Sequence, residues 1–340
     1  MLLDIYLLSI FVMVALAFFA PRFDVHIAFL LALVLSVICG NRFGGFDYND
    51  YQDMIDAIRA NAEEDWVVIL NLAKDPGFAL VTYVASWFSD TYFSVFFPMA
   101  VLGFIPKAIV AFMLPKYKTL FVALYALFLA PGLEFAAIRS AVGIGFLGLA
   151  ILSTFAVRYR VALFLTAGAF HVSMFAGVLL LFRRFWRFAS NNFWFAPLIA
   201  ILIALAGVGL IKELFESRGM DPGTIYAPFF PVITLVALFF FSRQRFVFAN
   251  TLESDRYRAS IAAATFFASL AMAMAIPVAV AAGRLLEVSQ FFGLFSIVMA
   301  ASRNRLNALA VISVSMMVLI IVFINISRIL WTVMAQTSLG

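Results

Sequence analysis

The chain has 340 residues, a formal net charge of +5, 65% hydrophobic residues and only 12% charged ones. Soluble domains carry about 25% charged residues, so a water-soluble domain is excluded. Apolar runs of about 20 residues recur end to end without the alternation of barrel strands, and in lipid that leaves helices to satisfy the backbone. The fold class is therefore all-α, a polytopic transmembrane helical protein forming a single integral membrane domain over residues 1–340.

Arg and Lys stand in short clusters between apolar runs. The positive-inside rule produces that distribution, so the positive charge is not read as a nucleic-acid surface. The lone Cys39 excludes an intrachain disulfide, and two histidines without cysteine partners argue against a zinc site.

Residues 2–20 lack the basic start and small-residue cleavage site of a signal peptide and are read as a span, followed by 25–39 after a tight turn at Pro21-Arg22. If Arg22 marks the cytoplasmic side, residues 41–78 are outside. This is the one long polar stretch, holding eight of the 18 acidic residues: Asp47, Asp50, Asp53, Asp56, Glu63, Glu64, Asp65 and Asp75. Asp47 is placed to cap a helix, with Tyr48, Tyr51, Ile55 and Ile58 on one face and Asp50, Asp53 and Asp56 on the other. The pattern predicts a short amphipathic helix at a membrane surface. Asp75-Pro76-Gly77-Phe78 closes the stretch as a turn.

Residues 79–88 are half a span. A span over 92–114, kinked at Pro98 and Pro106, leads to Lys116 and Lys118 inside. Residues 120–130 rise to a break at Pro131-Gly132, and 134–157 descend. Basic residues flank 161–182 on both sides, so a re-entrant hairpin with His171-Val172-Ser173 at its tip keeps the topology consistent; one ordinary span is the alternative. Segments 193–211 and 226–241 follow, then a basic loop 243–258, a span 259–282 ending near Arg284 and Glu287, a short return 294–301, and a last span 306–330. The sum is nine to eleven crossings plus half-helices, with no clear internal repeat.

Arg42 and Gly44, Asp47-Tyr48 with Tyr51 three residues on, Asp75-Pro76-Gly77-Phe78, then Arg139 and His171-Val172-Ser173 within membrane segments form a motif order. That order resembles the EpsG-type family, grouped with the Wzy polymerases of bacterial surface polysaccharides. The chain departs from the family pattern at Asp75, where Glu is usual, and at Ser140, where Gln is usual. The resemblance implies an enzyme of the bacterial inner membrane, of GT-C-like membrane glycosyltransferase architecture. It would transfer a glycan from a polyprenyl-diphosphate carrier to a lipid-linked repeat unit on the outer face. Lipid-linked oligosaccharide, membrane lipids and a chain-length regulator protein are the implied partners. No cofactor, metal or nucleic acid is expected.

Arg139 is the foremost candidate, because a guanidinium in an apolar run must find an anion, and its planar fork suits a diphosphate. Pairing with Glu134 or snorkelling to the surface is its bland alternative. Arg284 and Arg42 are further diphosphate candidates, although Glu287 at helical spacing explains Arg284 equally well. His171 suits an acid, a base or a donor to phosphate. A base is needed at the acceptor hydroxyl, and Asp47, Asp75 and Glu134 are open to it, none favoured by spacing. Tyr48, Tyr51 and Trp66 could stack on sugar rings. A flippase of lipid-linked glycan is the rival from another class, and a related ligase or lipid-sugar-dependent glycosyltransferase is the nearer one.

Overall fold

A computed structural model of the chain describes residues 2–41, 47–61, 66–73, 75–217 and 229–303. Among the described residues every regular element is helical and no strand occurs. Arg42, residues 63–65, the loop 218–224 and the expected last span 306–330 lie outside the described residues.

Five of the described helices are long and apolar enough to cross a membrane, and a bent pair raises the number to six. The chain is a multi-pass membrane protein. The nine to eleven crossings expected included the span 306–330, outside the described residues, and the segments 134–157 and 226–241, whose helices Ile138–Leu152 and Phe229–Ser242 are shorter than a full span. The helices divide into two compact units, one ending at Phe175 and one starting at Ala176.

The first unit begins with α1 (Leu2–Phe19) and α2 (Asp24–Gly40), joined by a 3-10 turn over Pro21–Phe23. The described residues of the polar stretch 41–78 form α3 (Tyr48–Ala60) and α4 (Trp66–Ala73), and the turn at Asp75 opens α5 (Pro76–Ser86). Next come α6 (Phe93–Ala111), which keeps Pro98 and Pro106 inside it, α7 (Lys118–Phe128) and a single turn α8 (Ala130–Leu133). Then α9 (Ile138–Leu152) and α10 (Val157–Phe170) complete the unit.

Two local features differ from the sequence reading. Asp47 precedes α3 as expected of a cap, yet its side chain makes no cap bond. Nor is the apolar face of α3 left for lipid: Tyr51, Ile55 and Ile58 are buried against Phe78, Phe96, Ile138 and Phe170. Burial of such side chains stabilises by about 1.5–3 kcal/mol each, enough to hold a 13-residue helix that would be marginal alone. Its polar side is tied down too. Arg59 donates to the carbonyls of Asp90 at 2.7 Å and Thr91 at 3.0 Å, and the Tyr92 hydroxyl donates to Asp56 at 2.7 Å. That bond to the Asp56 carboxylate holds the Tyr92 phenol above its usual pKa.

The start of α7 is capped from far away. Asp24 accepts the backbone N–H groups of Lys118 at 2.8 Å and Thr119 at 2.9 Å. Its two oxygens thereby satisfy two of the donors that a helix N-terminus leaves open, just after Tyr117 turns the chain at a φ of 63°.

In the second unit a 3-10 segment, Val172–Leu181, which starts in the first unit, leads to α11 (Arg183–Asn191) and α12 (Phe195–Ser217). α11 is bent by 119° from the following Phe195–Gly209. Then come α13 (Phe229–Ser242), α14 (Thr251–Met274) and α15 (Ala279–Ala301). The expected basic loop to residue 258 is shorter than predicted, because Asn250 caps α14 by accepting the Glu253 N–H at 2.9 Å while Glu253 accepts that of Ala249 at 3.3 Å. The expected span 259–282 and short return 294–301 are likewise redrawn. The break falls at residues 275–278, around Pro277, and one unbroken helix then runs through Arg284 and Glu287.

Candidate functional site

The site grows out of the turn at Asp75. Pro76 sets the first residue of α5 and forces Asp75 into extended backbone, φ −133° and ψ 126°. An aspartate there ordinarily caps its own helix. This one does not; its carboxylate forms an ion pair with the guanidinium of Arg139.

Arg139 stands in the first turn of α9. The bland alternative, pairing with Glu134, gives way to a group drawn from three elements. Asp75 of the turn holds Nη1, and Tyr51 of α3 takes a bond from Nε at 3.4 Å with the guanidinium 5.6 Å from its ring centre. Asp47 lies close enough to act on Arg139 electrostatically. The side chains of Arg139 and Asp75 remain 19% and 11% exposed, so the pair is enclosed without being sealed.

His171 joins from the end of α10, where the helix gives way to an extended residue, φ −159° and ψ 117°. A Cβ built on Gly143 would stand 3.5 Å from the His171 Cβ. Gly143 lies four residues after Arg139, one turn along the same face of α9, so His171 packs against α9 one turn beyond Arg139. Its Nδ1 accepts the Ser173 N–H at 3.3 Å and lies 2.7 Å from the Ser173 hydroxyl. With Nδ1 accepting, a neutral ring carries its proton on Nε2 as a donor.

The group can thus offer a cation, two carboxylates, a phenol and an imidazole. The comparison with known families concerns the chain as a whole: the EpsG family model matches residues 25–334. The chain belongs to the EpsG family. EpsG is a Wzy-type polymerase-like family, which supports a membrane polysaccharide polymerase-like role. No curated protein and no solved structure matches the chain.

The other expected residues of this EpsG chain are placed as follows. Tyr51 is 2% exposed and packed on Phe78 at 5.4 Å between ring centres, so its ring is enclosed by protein and its contacts with Arg139 are through the hydroxyl and the ring. Tyr48 packs tilted against Phe96, 5.5 Å between ring centres, and accepts a bond from Gln52 at 3.3 Å. Arg284 belongs to the second unit and pairs with Glu287 at 3.2 Å. In that unit Arg303 also grips Glu253 with two bonds, at 3.0 and 2.7 Å. Arg42 and the side chain of Trp66 lie outside the described residues. No three His, Cys, Asp or Glu among the described residues are grouped as a metal ion needs.

Glu134 is engaged apart from Arg139, in a charge pair that the sequence reading missed. Lys107 of α6 donates to its Oε1 at 2.7 Å, and Tyr125 of α7 donates to the same oxygen at 3.0 Å. The signal was present: a lysine next to Pro106 in an apolar span must find an anion, and Glu134 follows the Pro131-Gly132 break.

Proposed function

We propose that the chain is a polymerase of surface-polysaccharide repeat units in the bacterial inner membrane. It transfers a glycan from a polyprenyl-diphosphate carrier to a lipid-linked repeat unit on the outer face. The observation that carries this reading is the meeting of Arg139 with Asp75 and Tyr51, with His171 a turn away, in a chain of the EpsG family.

The chemistry follows from what each group can hold. In the transfer, the bond from sugar C1 to the diphosphate oxygen breaks and its electron pair leaves with the diphosphate. The acceptor hydroxyl oxygen bonds to C1 and gives up its proton. Arg139 binds the diphosphate and stabilises the charge that grows on it. In doing so it exchanges Asp75 for the ligand. Asp75 then takes the acceptor proton as general base, with Asp47 as a second acid at the rim. His171 donates from Nε2 to a phosphate or sugar oxygen. Residues 161–182 form a re-entrant hairpin that brings this imidazole to membrane depth. A chain-length regulator acts on the polymer outside this group.

Complementation tests the reading. A strain lacking this gene is supplied with wild type or Arg139→Ala at equal membrane abundance, and its surface glycan is resolved on a gel. Wild type is expected to restore long chains and Arg139→Ala to leave single repeat units on the outside. Repeat units trapped inside the deletion strain would turn the assignment to a flippase, and an unchanged ladder would refute it.

A further inference from the structure

Lys107 and Glu134 are 1% and 0% exposed. Two full charges are costly to bury and survive only when paired and hydrogen-bonded. All three ammonium protons of Lys107 are used, at 2.7 Å to Glu134, 2.9 Å to the Gly103 carbonyl and 2.7 Å to the Ala141 carbonyl. The ammonium also stands 4.7 Å from the centre of the Tyr125 ring. The packing has closed around the pair: a Cβ on Gly103 would collide with both carboxylate oxygens of Glu134, and one on Gly145 would stand 3.0 Å from Pro106.

The position of these bonds along the chain is what matters. Glu134 ends the single turn α8 and is followed by the irregular link Phe135–Ala137. Arg139 comes next, and Ala141 lies two residues beyond it. One ammonium therefore holds the chain on both sides of Arg139, at a side chain before it and at a carbonyl after it. Phe135 in the link is further held edge-on against Tyr6 at 5.5 Å, and Tyr6 donates to the Ala126 carbonyl at 2.6 Å.

A charge pair in this setting is a poor source of stability, since apolar residues of similar volume often do as well or better. Direction is what it supplies that apolar packing does not. We infer that Lys107 and Glu134 are positioning residues for Arg139: the pair fixes the first turn of α9 so that the guanidinium is aimed into the site when the diphosphate displaces Asp75. This rests on the polymerase reading of the Arg139 group. It assigns Glu134 to holding the site, in place of the role of base considered from sequence.

The test separates aiming from folding. The probe is lipid-linked glycan extracted from membranes of the strain lacking this gene, supplied to purified protein in vesicles, with chain growth read against probe concentration and thermal melting read alongside. The double variant Lys107→Met/Glu134→Met removes both charges together and leaves neither buried alone. It is expected to melt no lower than wild type and to lose chain growth by about 100-fold, the effect of a misplacement near 1 Å at a reacting group. Tyr125→Phe removes only one bond to the carboxylate; it is expected to raise the half-saturating probe concentration with an unchanged melting temperature. Chain growth at the wild-type rate and half-saturation in both variants would overturn the inference and leave the polymerase assignment standing. A wild type that lengthens nothing would overturn the assignment and the inference with it. If the double variant does not fold, Tyr125→Phe alone decides.

Discussion

Gly77 and Phe170 are pressed together across the site: a Cβ added at Gly77 would stand 2.9 Å from two carbons of the Phe170 ring. One partner belongs to the turn that carries Asp75, and the other immediately precedes His171. Phe170 cannot simply retreat, because its ring stacks on Phe146 at 6.3 Å between centres and 4° between planes. Gly77→Ala is thus predicted to overpack the contact at a cost of about 1–3 kcal/mol and to shorten the glycan ladder. Phe170→Leu in the same chain should restore part of the length. A ladder unchanged by Gly77→Ala would show that the turn and His171 need not be in register.

The ion pair makes a sharper prediction. Arg139→Lys keeps the charge but loses the fork that can hold a carboxylate or diphosphate with two bonds. Polymer formation should fall by about 100-fold or more, the scale on which single charge-stabilising donors matter, while the protein still reaches the membrane in normal amount. Asp75→Asn should fall similarly, with Asp75→Glu, which restores the carboxylate usual in the family, retaining most function. Equal activity of Asp75→Asn and wild type, measured on the gel ladder, would remove Asp75 as base.

Tyr51 separates packing from chemistry within one side chain. Tyr51→Phe keeps the buried ring against Phe78 and deletes only the hydroxyl that meets Arg139. A few-fold loss of chain growth with an unchanged melting temperature is expected. Ile55→Ala, one turn on and fully buried, should instead lower the melting temperature, at about 2–5 kcal/mol for a core truncation.

At the opposite end of the first unit, Asp24→Ala strips the cap from α7. The loss should be about 0.5–2 kcal/mol, read as a lower melting temperature in detergent with chain growth preserved. Asn at this position, which keeps one accepting oxygen, should recover part of it.

Much of this was legible in the chain because the informative residues break a local rule. An arginine inside an apolar run, a proline-glycine turn led by an acid, and tyrosines at helical spacing among aspartates each stand out. The acid of the turn and one of the tyrosines, Tyr51, meet at that arginine. What could not be read was pairing over distance. Lys107 and Glu134 are 27 residues apart, and the nearer Arg139 offered itself as Glu134's partner. Asp24 and its two recipients are separated by 94 and 95 residues. Hydropathy also misled at Arg284 and Glu287. Two charges in a row of apolar residues read as the end of a span, but they form the pair that their helical spacing already offered and α15 continues past them. Pro277, which does end a helix, was masked by the apolar residues around it.

The collision waiting at Gly103 bears on how this sequence can drift. As long as Glu134 stands opposite, a side chain at position 103 must push its carboxylate aside; a shorter apolar residue at position 134, with Lys107 also apolar, would open room for alanine. The three positions should therefore change as a set among relatives. A lineage caught with Lys107 but without Glu134, or the reverse, would carry an uncompensated charge in its interior and would be rare.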